Sequence, residues 1–210
     1  CRMQMLIDST WIDADDGATR EIENPASGET IDSVPKAGVA DITRAVEAAQ
    51  DAKKRMRKTP AHERARVLID VASEMDRRNE ELARLLAAEN GKPIRQTREE
   101  VAAAARIFRG FGEEAKRLFG RASSMDMVPG MERHFAMTVK QPVGVVAAIV
   151  PFNYPVELYS HKAAAALAAG NAVVVKPPSD CPLTLLKIAE LIENAGLPQG
   201  GHQVVTGPGD

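Results

Sequence analysis

The chain has 210 residues, enough for one large domain or one domain plus part of another. Its formal charge of −2, with acidic and basic residues interleaved, argues against a nucleic-acid or polybasic membrane surface. Two cysteines, Cys1 and Cys181, make no disulfide framework and no zinc spacing, so a reducing compartment is expected.

The longest apolar runs, such as Ala163–Ala169, fall short of the ~20 residues a membrane span needs. The first residues, CRMQMLIDSTW, are charged and lack an apolar core, so no signal peptide is expected and a soluble cytoplasmic protein is the reading. Residues 4–35 read as short strands and turns: Gln4–Asp8, Trp11-Ile12 and Ile31–Val34, with a turn cluster at Asn24-Pro25-Ala26-Ser27-Gly28. Four helices follow. The first covers about 41–57. The second is expected to open with Thr59 as N-cap and Pro60 as its first residue. The third is capped by Asn79 and ends at Gly91, and the fourth covers about 97–118 with Gly120 as a stop. Their apolar residues recur at helical spacing and their charges take the opposite faces. His62 lies among charges and reads as a surface residue.

Ser123–Val128 and Glu132–Lys140 read as two strands around Pro129-Gly130, an edge hairpin or an arm that pairs with another chain. Then comes the most informative stretch. An apolar strand, Gly144–Val150, meets the turn Pro151-Phe152-Asn153-Tyr154-Pro155. An Ala-rich helix stops at Gly170, and a second strand, Ala172–Val175, ends on Lys176. Asp180 is expected to cap a further helix, Leu183–Asn194, and His202–Val205 is a third strand. The order β-α-β-α-β makes one half of a doubly wound parallel sheet, with a ligand crevice at the strand ends. The fold class is therefore α/β. The expected division is 1–121 (strands and helices), 122–140 (hairpin) and 141–210 (sheet). Asn153 and Lys176, polar residues at the strand ends, are the candidates for chemistry. No G-x-G-x-x-G follows the first strand, so any dinucleotide would bind in another manner.

Several pieces resemble the NAD(P)-dependent aldehyde dehydrogenase superfamily: Asn24-Pro25-Ala26-Ser27-Gly28, Gly91-Lys92, Pro142-Val143-Gly144-Val145, Pro151-Phe152-Asn153-Tyr154-Pro155, Gly170-Asn171-Ala172-Val173-Val174-Val175-Lys176-Pro177, and Ala195-Gly196-Leu197-Pro198 leading to Val204-Val205-Thr206-Gly207. They lie in the family's order along essentially the whole chain. The Pro-Phe-Asn-Tyr-Pro form is most similar to the branch acting on small semialdehydes, lactaldehyde or glyceraldehyde-phosphate-type substrates. The resemblance implies oxidation of an aldehyde to an acid through a cysteine thiohemiacetal, with hydride passing to NAD or NADP. It places Asn153 as the oxyanion donor, a role that suits an amide because it donates without titrating. A turn asparagine bonded to its own backbone is the plain alternative. Lys176 would reach the adenine-side ribose. Ser179 falls where many strictly NAD-using members carry a glutamate, so NADP is tolerated or preferred. Ile149, Val150, Pro151 and Phe152 would line the nicotinamide side, Pro178 would join the ribose side, and Gly207 and Gly209 would let the backbone approach the adenosine.

Cys181 does not match the family's nucleophile, which with the general-base glutamate lies further along such chains. Tyr159 and His161 read as packing or wall residues. The chain is therefore expected to be the N-terminal, cofactor-binding part of such an enzyme, with the catalytic domain absent, inactive alone, and homodimeric or homotetrameric when intact. A non-catalytic short paralogue is the alternative, and a CoA-acylating reductase a further one. An open sheet edge after His202–Val205 is also expected.

Overall fold

The computed structural model describes residues 3–209; Cys1, Arg2 and Asp210 lie outside the described residues. The parallel core is as expected. β7 (Val145–Ile149), α5 (Pro155–Ala168), β8 (Ala172–Lys176), α6 (Leu183–Asn194) and β9 (His202–Val204) form two crossovers, with β8 between its neighbours. Ala172–Val175 are buried, which is why that strand is an unbroken apolar run. α5 and α6 pack on each other and on the sheet. α1 (Val39–Lys58) packs on β7, β8 and β9 and makes no comparable contact with α5 or α6, so it covers the other face.

The expected open edge at β9 is corrected. β1 (Met5–Ile7) lies antiparallel to it, with Leu6 opposite Val204, and β2 (Thr10–Ile12) closes the sheet in the order β2-β1-β9-β8-β7. Asp8 N–H donates to the Gln203 side chain at 2.7 Å and fixes that register. The open parallel edge is β7, where Ile149 is 71% exposed. β3 (Thr19–Glu23), which the sequence reading passed over, pairs with β4 (Thr30–Pro35); only Ile22 of β3 is buried, too little for a visible alternation.

α2 (Ala61–Arg77), α3 (Asn79–Asn90) and α4 (Ile94–Ala115) form the outer layer over α5 and α6. α2 and α4 approach closely because Gly112 faces Ile69 and Ala65; a Cβ there would sit 2.9 Å from Ile69 Cγ1. Three expected caps are corrected. Thr59 closes α1, its hydroxyl donating to Arg55 O, and Pro60 precedes α2. Asn79 lies inside α3 and donates to Arg98 O. Asp180 pairs with Arg20. The fourth helix starts three residues earlier than expected, just after Pro93, because Thr97 is buried and returns its hydroxyl to Ile94 O. The hairpin strands are short, β5 (Ala122–Ser124) and β6 (Phe135–Met137), and Gly120 packs against the Thr138 backbone rather than ending α4.

Gly91 ends α3 at φ +80, and a Cβ there would meet Pro25 Cγ at 2.8 Å. Gly91→Ala is expected to cost about 1–3 kcal/mol in urea unfolding, since both the left-handed backbone and the Asn24-Pro25 turn must give.

Candidate functional site

The carboxyl ends of β7, β8 and β9 carry the candidate residues as two clusters. The first sits at the end of β8. Ile149 and Lys176 are register partners, and Val150 N–H donates to Lys176 O. Lys176 Nζ lies 3.2 Å from Ser179 Oγ, and that hydroxyl donates to Gly207 O at 3.0 Å. Gly207 has φ +154, a backbone conformation that favours glycine, and a Cβ there would come into ordinary contact with the Ala37 backbone at 3.4 Å, where α1's leading segment passes. A shallow recess lined by Ala37, Ile42, Lys176, Val205, Thr206 and Gly207 joins an apolar wall to these polar atoms. Pro178 is buried, while Gly209 is exposed with nothing within 4 Å of a built Cβ. Asp180, the nearest carboxylate in sequence, is engaged by Arg20 across a separate cleft lined also by Glu89 and Phe152.

The second cluster is the turn. Pro151, Phe152, Asn153 and Tyr154 are exposed, and Val150 is buried. The Asn153 amide has no hydrogen-bond partner among the described residues, so it does not close on its own backbone as a turn asparagine would. The turn is held from outside by residues the sequence reading missed. Asn90 Nδ2 donates to Phe152 O at 3.0 Å. Lys92 Nζ lies 4.0 Å from the Tyr154 ring centroid. Glu100 accepts from Val156 N–H at 3.0 Å and holds Lys92 Nζ at 2.6 Å. Glu89 does the same for α6: it accepts from Leu183 N–H at 2.7 Å, Thr184 N–H at 2.8 Å and the Thr184 hydroxyl. Two buried carboxylates thus receive the orphan amides at the starts of both crossover helices, where helix ends favour negative charge. Burial pushes Glu89 up to about 7, against the pull of the Thr184 and Leu183 hydrogen bonds. A signal for both was present: each is a charge on an apolar helical stripe, Glu89 continuing Leu82 and Leu86, and Glu100 beside Val101, Ala104 and Phe108.

Cys181 is buried 3.8 Å from Asn90 Nδ2, and burial drives its thiol far above its ordinary value, which disfavours the thiolate a nucleophile needs. Tyr159 is a core residue bonded to His202, whereas His161 is exposed with its ring against Phe111. Among the described residues no group of three His, Cys, Asp or Glu is placed to hold a metal ion, and no helix is long and apolar enough to cross a membrane.

A sequence profile described as the aldehyde dehydrogenase family matches residues 11–210. The chain belongs to the aldehyde dehydrogenase family. Similar curated aldehyde dehydrogenases include the glutarate-semialdehyde dehydrogenase of Pseudomonas aeruginosa, 45% identical over 98% of this chain and 42% of that protein. The NADP-linked succinate-semialdehyde dehydrogenase GabD of Escherichia coli is 41% identical, also over 98% of this chain and 42% of its own length. The crystal structure of the NADP-dependent glyceraldehyde-3-phosphate dehydrogenase of Bacillus halodurans, complexed with NADP, superposes with a TM-score of 0.96 at 36% identity, over 100% of this chain and 44% of that one. This aldehyde dehydrogenase chain therefore spans less than half the length of the relatives it matches, and shares with them a partial α/β fold.

Proposed function

We propose that this chain provides the nucleotide-binding half-sheet and the oxyanion donor of an NAD(P)-dependent aldehyde oxidation, with NADP the preferred cofactor and a small semialdehyde the substrate class. The Lys176–Ser179–Gly207 cluster carries the reading. An ammonium and a hydroxyl at the end of a parallel strand suit ribose hydroxyls or a 2′-phosphate, and no carboxylate in the 176–179 loop would repel that phosphate. The nearby Asp180 is already paired with Arg20. The nicotinamide, when bound, would accept hydride; these residues orient the nucleotide, and Asn153 offers an amide without a competing partner. Ile149, Val150, Pro151 and Phe152 are the wall beside it, and the 141–210 segment is the nucleotide-binding unit. The relatives' semialdehyde names support the substrate class.

Calorimetric titration of the chain tests this. NADP should bind at least about tenfold tighter than NAD, and Ser179→Glu should weaken NADP by about 100-fold while sparing NAD, because like charges brought together at a site cost several kcal/mol. No binding of either nucleotide at millimolar concentration overturns the reading.

The free cysteine among the described residues, Cys181, is buried and inert, so the chain alone is expected to oxidise no aldehyde; robust turnover in a dehydrogenase assay sinks that expectation. Phe119, Met127, Phe135, Met137 and Val139 are all at least 65% exposed at the hairpin and its base, which supports a homodimer or homotetramer built through residues 122–140.

A further inference from the structure

The expected role of Asn153 requires a fixed backbone and a free amide, and although Pro151 and Pro155 restrain the ends of the turn, its three central residues have no burial of their own to hold them. Phe152, Asn153 and Tyr154 are all exposed, and no hydrogen bond involves the Asn153 side chain among the described residues. What fixes the turn comes from the α3–α4 bend. Asn90 holds the carbonyl of the residue before Asn153, Lys92 lies against the ring of the residue after it, and Glu100 receives the amides of Val156 and Glu157 at 3.0 and 3.4 Å. Glu100 also fixes Lys92 Nζ at 2.6 Å, so the cation over Tyr154 and the anion under α5 are one unit. The side chains of Lys92 and Glu100 are 15% and 1% exposed, which removes the solvent screening that weakens surface pairs.

We propose that Lys92, anchored by Glu100 and assisted by Asn90, is the positioning residue for Asn153: the bend clamps the turn on both sides of position 153 and leaves that residue's amide unengaged. The proposal rests on the reading of Asn153 as oxyanion donor, for which a group must be held to within about 0.5 Å of its working place. Lys92 touches no reacting atom. It acts through Tyr154, and a cation on an aromatic face suits that task because it fixes the ring's position while the ring edge stays in solvent.

The test is nitrogen-15 relaxation of the chain, read at Asn153 and its side-chain amide. Lys92→Met removes the charge and keeps the stem. The Asn153 backbone order parameter should fall from about 0.85 to below about 0.6, while α2 and β8 keep their spectra. Lys92→Arg, which retains a cation over the ring, should restore order. A folded Lys92→Met protein with Asn153 unchanged overturns the proposal. Because that substitution leaves Glu100 without its partner, Tyr154→Leu serves as the second variant: it removes the aromatic contact from a surface position and should loosen Asn153 equally, and an unchanged Asn153 there also overturns the clamp. NADP titration of the same samples keeps the two readings apart. Lys92→Met should leave NADP affinity within about twofold, since Lys176 and Ser179 are untouched, whereas wild-type protein that binds no NADP refutes the nucleotide reading and not the clamp.

Discussion

Lowering the pH from 6.5 to 3 is expected to cost this chain about 4 kcal/mol through His202 alone. His202 begins β9 with 0% exposure, its Nε2 2.9 Å from the Tyr159 hydroxyl and its Nδ1 without a partner among the described residues. Burial lowers it to about 3. Between pH 6.5 and 3 the unfolded chain therefore holds a proton that the folded one refuses, and stability, full above 6.5, falls as acid is added. Glu89 has the opposite sign. Its folded value is raised to about 7, so its contribution is full below about 4.5 and is lost as pH rises through 7, roughly 3 kcal/mol in all. From pH 4.5 to 6.5 the two slopes, each about 1.4 kcal/mol per unit, cancel. Urea unfolding should show a plateau there and a steep fall below 4.5. His202→Gln should lose that share of the acid limb and become more stable from pH 7 down to 4.5, as the Glu89 slope stands alone. Surface carboxylates such as Glu80, pulled to about 2 by Arg98, add to the acid limb of both proteins and drop out of the difference. A variant that keeps the whole wild-type profile would remove His202 from the account.

Glu89 carried a signal, a charge on an apolar stripe, but His202 carried none, and the reason is physical. His202 looks like the first residue of a strand; only its place between α5, α6 and the sheet makes it a buried base. What local rules could reach came out as expected at Gly91, a left-handed helix end, and in the continuous apolar run of Ala172–Val175 between two parallel neighbours, while the 3.6-residue stripes held only in part, with Ile42, Val46 and Phe119 exposed and Asp41, Glu89 and Glu100 buried. The same rules misassigned the caps. Asp180 and Asn79 are good capping types in good positions, yet α6 is capped by Glu89 from 94 residues away and α5 by Glu100 from 56 away. A remote carboxylate at the start of α6 leaves Asp180 for Arg20, and Asn79, at the start of α3, donates to Arg98 O instead of capping. Likewise β1 covers β9 from the far end of the chain, and nothing in either strand's sequence names the other. Asn153 and Lys176 stood out as candidates because they lie at strand ends, where a parallel sheet puts its crevice, whereas Ser179 and Gly207 were marked only by the family resemblance. The residues that hold Asn153 in place did not stand out, because they belong to another layer.

Glu100→Ala is expected to cost about 3–5 kcal/mol, because it strands one charge of a buried pair and unties a helix at the same stroke. Glu100 is 3% exposed, and its two oxygens serve different partners: Oε1 accepts from Val156 and Glu157 N–H, and Oε2 holds Lys92. Alanine leaves the Lys92 ammonium largely buried with only the Tyr154 ring for company, and leaves two α5 amides without their acceptor. For a chain of this length the melting temperature should drop by on the order of 10 °C. Glu100→Gln keeps an acceptor for α5 but turns a neutral amide toward Lys92, so it should lie between alanine and wild type. The decisive comparison is the double change Lys92→Met with Glu100→Leu. Removing both charges eliminates the stranded ammonium, so the pair should be at least about 1 kcal/mol more stable than Glu100→Ala, although it still lacks the α5 acceptor. If Glu100→Ala instead melts within about 2 °C of wild type, α5 is held by packing on α4 alone and the Lys92–Glu100 pair fastens nothing.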